Sequence, residues 1–219
     1  MGIRVAITGV NSYFASTLLP ILDSDTEIEE IIGIDVTPWK GGFKKVRFHR
    51  EDIRSGKIES LLNDVDVVFH LAFIVGEIHD KKETLDININ GSKNIFKACA
   101  ANRVKKVIYS SSMTVYGAHQ DNALGFTEQS PLNRNSDSYY NSSKIQVEEF
   151  VAEFFKDHPG ITLTILRVGL LCGPNINNIF SALWSKKFSA LPMGRNSHNQ
   201  LIHEKDLGDA FHIALKKDV

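Results

Sequence analysis

Tyr140 and Lys144 close the stretch Tyr140-Asn141-Ser142-Ser143-Lys144, inside a segment whose spacing predicts a helix. Four residues make about one helical turn, so both side chains leave the same face. A phenol placed there can take a proton from an alcohol if its proton affinity is lowered. The reference tyrosine pKa is about 10, and bringing it near neutrality takes a fall of roughly 3 units, about 4 kcal/mol. A neighbouring ammonium supplies part of that by favouring the phenolate. Tyr139 is five residues before Lys144 and lies on another face, so Tyr140 is the candidate base. Upstream, Tyr109-Ser110-Ser111-Ser112 ends an apolar run. A serine hydroxyl at such a strand end can hold the oxygen that loses the proton.

A second group of residues points to a dinucleotide. The first apolar run ends in Thr8-Gly9-Val10-Asn11-Ser12-Tyr13-Phe14-Ala15. Gly9 suits a tight turn, and the N–H groups of the following helix N-terminus can face a pyrophosphate. Ser12 and Ala15 stand where dinucleotide-binding loops usually carry two further glycines. Ala15 is small enough for close helix–strand packing, and the Ser12 hydroxyl can donate to a phosphate. Asp35 ends the second run, after Ile31-Ile32-Gly33-Ile34. A carboxylate at that place accepts hydrogen bonds from the adenosine ribose and repels a 2′-phosphate, which favours NAD over NADP. Asp52 and Ile53 follow the third run and are placed to approach adenine. An oxidised nicotinamide ring near Tyr140 would add positive charge to that of Lys144.

These residues need elements to position them. Short apolar runs predict strands at 3–8, 30–35, 45–48, 65–71, 104–110 and 161–167, and longer patterns predict helices at 12–22, 81–102 and 137–158. Alternation of this kind predicts a doubly wound parallel sheet with helices on both faces, binding its ligand at the carboxyl ends of the strands. Two stretches resist assignment, 73–80 and 117–136. Both leave strand ends and are expected to be binding loops. The 219 residues are 42% hydrophobic and 23% charged, with a formal net charge of −1. No basic tract suggests nucleic acid and no apolar run reaches membrane-spanning length. Cys99 and Cys172 are far apart and no signal peptide is visible, so reduced thiols and a cytoplasmic location are expected. The histidines show no zinc spacing, so no metal is expected. His70 is read as a packing or hydrogen-bonding residue, and Trp39 and Trp184 as packing residues.

The chain resembles the extended short-chain dehydrogenase/reductases, in their nucleotide-sugar epimerase/dehydratase branch. Phe69-His70-Leu71-Ala72, Asn88-Ile89-Asn90-Gly91-Ser92, Ser110-Ser111-Ser112 with Val115-Tyr116-Gly117, the Tyr140–Lys144–Glu148 helix, Leu166-Arg167 with Gly173-Pro174, and Leu201 to Asp206 resemble family motifs in the family's order. The resemblance implies a Rossmann-type fold and NAD as cofactor. It implies Ser112, Tyr140 and Lys144 as catalytic residues. It places Gly9, Asn11, Ser12, Tyr13, Phe14, Asp35, Asp52, Ile53, Leu71, Ala72, Phe73, Asn88 and Ser110 against the cofactor, with Tyr140 and Lys144. Leu170 departs from the Asn of many sugar epimerases. Met113 and Thr114 replace the Asp-Glu pair of the 4,6-dehydratases, so dehydration is not expected.

Three functions remain open at this level. They are an epimerase acting on a nucleotide sugar, a simple dehydrogenase or reductase of a sugar or secondary alcohol, and a non-catalytic dinucleotide sensor. The sensor is disfavoured by the Tyr–Lys pair. Residues 1–170 are expected to form the NAD-binding domain and 171–219 a partial substrate lobe with returning sheet and helix elements. The segment usual in the family beyond Ile202 to Asp206 is short here. A truncated form or a cover borrowed from a partner subunit is therefore expected. Apolar residues Phe180, Leu183, Trp184 and Phe188 would then favour a homodimer.

Overall fold

A computed structural model describes residues 2–76, 80–119, 125–135, 138–176 and 200–218. Six parallel strands form one sheet: β1 (Ile3–Thr8), β2 (Ile28–Asp35), β3 (Val46–Arg50), β4 (Val67–His70), β5 (Lys106–Ser112) and β6 (Thr162–Val168), in the order β3-β2-β1-β4-β5-β6. The chain winds outward from β1 in one direction and from β4 in the other. The order therefore reverses between β1 and β4, where a crevice opens beyond the carboxyl ends. Thr8 pairs with His70 at that point. β4 and β5 are buried along their whole length, as expected of central strands covered on both faces.

Helices cover both faces, and the pleat decides which side chain meets which. Val5, Ile7, Val67 and Phe69 pack with Leu18, Leu19 and Leu22 of α1 (Tyr13–Ser24) and with Leu207 and Phe211 of α6 (Glu204–Lys216). Ala6, Val68 and Val107 point the other way. They meet Ile95, Phe96 and Cys99 of α4 (Ser92–Ala101) and Val147 and Val151 of α5 (Tyr139–Phe154). Among the described residues the remaining α-helices are short, α2 (Ile58–Leu61) and α3 (Lys81–Leu85). Two short strands, β7 (Leu170–Cys172) and β8 (Leu201–His203), pair in a separate parallel sheet.

The helix expected over 81–102 is divided. A π-turn, Asp86–Gly91, separates α3 from α4. The Ser92 hydroxyl donates to the Asn88 carbonyl at 2.6 Å, so a side chain occupies an acceptor that the helix ladder would use. The wider turn sets Asn88 against the loop after β4. At the other end of the fold, Lys106 is buried at the start of β5. Its ammonium donates to the carbonyls of Ala214 at 3.1 Å and Lys217 at 2.8 Å, capping the last turn of α6. That tie, with the apolar seam to α1, fixes α6 to the central sheet.

Candidate active site

The turn after β1 is built around Gly9. Its φ is +71°, and a Cβ there would lie 2.7 Å from the main-chain N and Cα of Ala72. Any side chain would push the two central strand ends apart, so glycine is required on both counts. Ser12 caps α1, its hydroxyl accepting from the Ala15 N–H at 3.2 Å. The serine that replaces a glycine thus supports the helix end itself. Phe14 packs on Phe211 with ring centroids 6.2 Å apart, and the Tyr13 hydroxyl donates to Glu204.

Asp35 holds this turn from the next strand. One carboxylate oxygen accepts from the Asn11 N–H at 3.0 Å. The other accepts from the Thr37 N–H at 2.9 Å and the Thr37 hydroxyl at 2.8 Å. The Asn11 amide donates to the carbonyls of Thr37 and Pro38, both at 3.1 Å, and so joins the turn after β1 to the loop after β2. A carboxylate offers roughly four acceptor positions, so one remains for a ribose hydroxyl after these three contacts. Asp52, expected to approach adenine, is ion-paired at the end of β3. Arg54 engages its carboxylate at 2.7 Å and reaches Asp86 at 2.9 Å, linking the end of β3 to the π-turn. Ile53 is buried beside them.

A continuous buried hydrogen-bond chain crosses the crevice. His70 is fully buried, with Nδ1 2.7 Å from the Thr8 hydroxyl and Nε2 2.8 Å from the Ser92 hydroxyl. Ser92 spends its proton on the Asn88 carbonyl and must accept from His70, which fixes the proton on Nε2. Thr8 then donates to Nδ1 and accepts from the Ala72 N–H at 3.3 Å. Burial, reinforced by the charge of Lys144, lowers the His70 pKa to about 3, so the ring is neutral. Asn88 continues the chain. Its side-chain oxygen Oδ1 accepts from the Ile74 N–H at 2.8 Å and its side-chain amide donates to the Ile74 carbonyl at 3.0 Å. Leu71, Ala72 and Phe73 are strung between these anchors.

The Tyr–Lys pair lies across the crevice on α5. Lys144 is only 2% exposed. Its ammonium donates to the Ser110 carbonyl at 2.6 Å and sits 3.5 Å from the centre of the Phe73 ring. It is 5.7 Å from the centre of the Tyr140 ring. Burial drives the Lys144 pKa well below its usual value, and the nearby Glu148 opposes that fall. Burial also raises the Tyr140 pKa, while hydrogen bonding from Ser112 pulls it down. Ser112 Oγ accepts from the Thr114 N–H at 3.2 Å and the Thr114 hydroxyl at 3.1 Å. Its acceptor positions are filled, so its own proton is left to donate. Phe73 meets the Tyr140 ring edge-on at 5.6 Å. A cavity of about 180 Å³ opens beside Tyr140, walled by Ile74, Val75 and Gly76 and by Thr84, Ser138 and Tyr139.

Contacts emerge here that the motif residues did not reveal in sequence. Arg167 of β6 pairs with Glu148 at 2.7 Å and donates to the Tyr116 hydroxyl at 2.8 Å and the Glu128 carbonyl at 2.9 Å. Glu148, 3% exposed, also accepts from the Ser111 hydroxyl. This knot ties the described part of the 117–136 loop to α5 and β5. Tyr109 stacks on His70 at 5.6 Å, and its buried hydroxyl has no hydrogen-bond partner among the described residues. A tyrosine inside an apolar strand reads as packing, so no sequence signal marked it. Phe180, Leu183, Trp184 and Phe188 lie outside the described residues.

The β1 turn fits a dinucleotide. A glycine backed by main chain leaves the cradle open, a capped helix points its N-terminus into it, and a carboxylate stands at the end of β2. Among the described residues no helix is long and apolar enough to cross a membrane.

A model of the NAD-dependent epimerase/dehydratase family matches residues 5–219. An uncharacterised UDP-glucose epimerase of Bacillus subtilis is 28% identical over 191 residues, covering 78% of this chain and 57% of that protein. An uncharacterised protein of Mycobacterium tuberculosis is 26% identical over 211 residues, covering 92% of this chain and 56% of its own. The chain therefore spans just over half the length of these curated relatives. Among solved structures, UDP-N-acetylglucosamine 4-epimerase from Methanobrevibacter ruminantium M1 superposes with a TM-score of 0.80 at 22% identity, over 100% of this chain and 75% of that one. UDP-glucuronic acid 4-epimerase from Bacillus cereus, in complex with NAD, gives 0.81 at 24% identity, over 99% and 76%. These two share the fold. With the family model matched over nearly its whole length on this fold, the chain belongs to the NAD-dependent epimerase/dehydratase family.

Proposed function

We propose that the protein is an NAD-dependent epimerase that inverts a hydroxyl-bearing carbon of a nucleotide sugar by transient oxidation and re-reduction. The observation that carries this is the gathering of Ser112 and the buried Lys144 around Tyr140, with a cavity opening beside the Tyr140 ring. The Gly9 turn and the N-terminus of α1 receive the pyrophosphate. Asn11, Ser12, Tyr13 and Phe14 shape that turn. Asp35 takes a ribose hydroxyl and rejects a 2′-phosphate. Leu71, Ala72, Phe73, Asn88 and Ser110 wall the nicotinamide end, and Lys144 holds its ribose. When bound, NAD supplies the hydride acceptor and donor and, while oxidised, a positive charge near the phenol.

Tyr140 takes the proton from the substrate hydroxyl onto its phenolate oxygen and later returns it. With substrate bound, Ser112 turns its one proton from the phenol oxygen to the substrate oxygen and holds it in line. Burial works against the phenolate, so a neutral-pH base needs more than the roughly 4 kcal/mol counted from the reference value; Ser112 in the free site, Lys144 and the oxidised ring all favour the phenolate. The cavity beside Tyr140 takes the sugar, and Ile74, fixed by Asn88, keeps its wall in place.

On this reading the enzyme works in the cytoplasm on a small soluble substrate. The dimer expected from sequence is checked by its mass in solution. The function is tested by incubating the protein with catalytic NAD and a panel of UDP-hexoses, followed by proton NMR. The expected product is the inverted sugar with no net NADH. Stoichiometric NADH would overturn epimerisation in favour of a dehydrogenase.

A further inference from the structure

The first turn of α1 is held from outside the nucleotide half. The Tyr13 hydroxyl donates to one carboxylate oxygen of Glu204, 191 residues away at the start of α6. The other oxygen accepts from the Asn175 amide at 2.7 Å. Glu204 lies flat on Gly173, where a Cβ would stand 2.6 Å from its carboxyl carbon. The φ of +154° at Gly173 also favours glycine. Asn175 comes just after β7 and Glu204 just after β8, so one carboxylate binds the ends of both small strands to the phosphate turn. The seam continues along the helices. Phe14 meets Phe211, and Gly208 lets the Thr17 carbonyl approach to where a Cβ would be 2.6 Å away.

We propose that Glu204 is a positioning residue for the dinucleotide: acting through Tyr13, it sets the first turn of α1 in the orientation that receives the pyrophosphate. Cofactor affinity then depends on the segment that carries β7, β8 and α6. The proposal rests on NAD binding as read above. The N–H groups of that turn are useful only if they converge on one point. A turn held by its capping serine alone can tilt, whereas a turn also held at the Tyr13 side chain cannot. The phenol and the Asn175 amide each hold one oxygen of the carboxylate, which fixes its orientation.

The test is NAD titration calorimetry on the unmodified protein, Tyr13→Phe, Glu204→Ala, the double variant and Glu204→Gln. A partly exposed, charge-assisted hydrogen bond is expected to move Kd by about three- to tenfold when it is lost. Tyr13→Phe and Glu204→Ala should each weaken NAD by that factor, and the double variant should be no weaker than the worse single one. Glu204→Gln keeps an oxygen for the phenol and should hold Kd near the unmodified value. Hydrogen exchange at the amides of residues 12–16 should quicken in the two single variants without NAD, while the melting temperature stays close to the unmodified one. Unchanged Kd in both single variants, or effects that multiply in the double, would overturn the proposal alone. A protein that binds no NAD would overturn it together with the cofactor assignment.

Discussion

Acid should unfold this protein partly through His70. The ring is fully buried, and each nitrogen is engaged by a buried hydroxyl. Its pKa falls from 6.5 in the unfolded chain to about 3 in the fold. The unfolded chain therefore binds a proton that the native state refuses. Native stability carries no penalty above pH 6.5, loses ground as the pH falls through that value, and stops losing it near pH 3. Integrating the linkage relation from pH 7 to pH 5 gives a loss of about 2 kcal/mol, and nearly the same for any folded value below about 4. His70→Gln cannot take up that proton, yet keeps an acceptor and a donor for Thr8 and Ser92. Urea unfolding of both proteins across this range isolates the effect, because every other group cancels in the difference. The gap in unfolding free energy between the unmodified protein and His70→Gln should shift by about 2 kcal/mol in favour of the variant at pH 5. Parallel profiles would show that His70 is protonated in the native state and would refute the buried chain.

Tyr140→Phe removes the proton acceptor and keeps the ring. Turnover should fall by at least about 100-fold with NAD affinity retained, as read by single-turnover kinetics and titration. Asp35→Ala should narrow the preference for NAD over NADP, measured as the ratio of the two dissociation constants. A preference for NADP in the unmodified protein would refute the role given to this carboxylate. Arg167→Met removes the ion pair of the buried Glu148 and leaves it, among the described residues, the Ser111 hydroxyl as hydrogen-bond donor. It should cost about 3 kcal/mol in urea unfolding, and Glu148→Leu placed beside it should recover part of that.

The central strands were legible because burial on both faces leaves an uninterrupted apolar run. The run 65–71 contains β4, and 104–110 overlaps β5. β7 and β8 are three residues each, too short for a pattern to form, and they escaped. The π-turn escaped because its cause is one side-chain bond from Ser92. At the site, Gly9 and Asp35 were legible from residue type and place after a strand. The Tyr–Lys spacing showed the shared face of α5. It did not show where the ammonium points, which is toward Ser110 and Phe73. Nor could it show that burial raises the phenol, since that depends on neighbours far away in sequence. The Tyr13–Glu204 link was invisible for the same reason. His70 was read correctly as a hydrogen-bonding residue, while the partners that lock its tautomer, Thr8 and Ser92, come from separate elements.

The central claim is transient oxidation and re-reduction at one carbon, with Tyr140 moving the proton. The direct measurement uses a nucleotide sugar deuterated at the reacting carbon, with catalytic NAD, and follows the label by NMR and mass spectrometry. The expected result is inverted product that keeps its deuterium at the same carbon, with no such product from Tyr140→Phe. Inverted product whose deuterium has been replaced by solvent protons, or full conversion by Tyr140→Phe, would contradict the account.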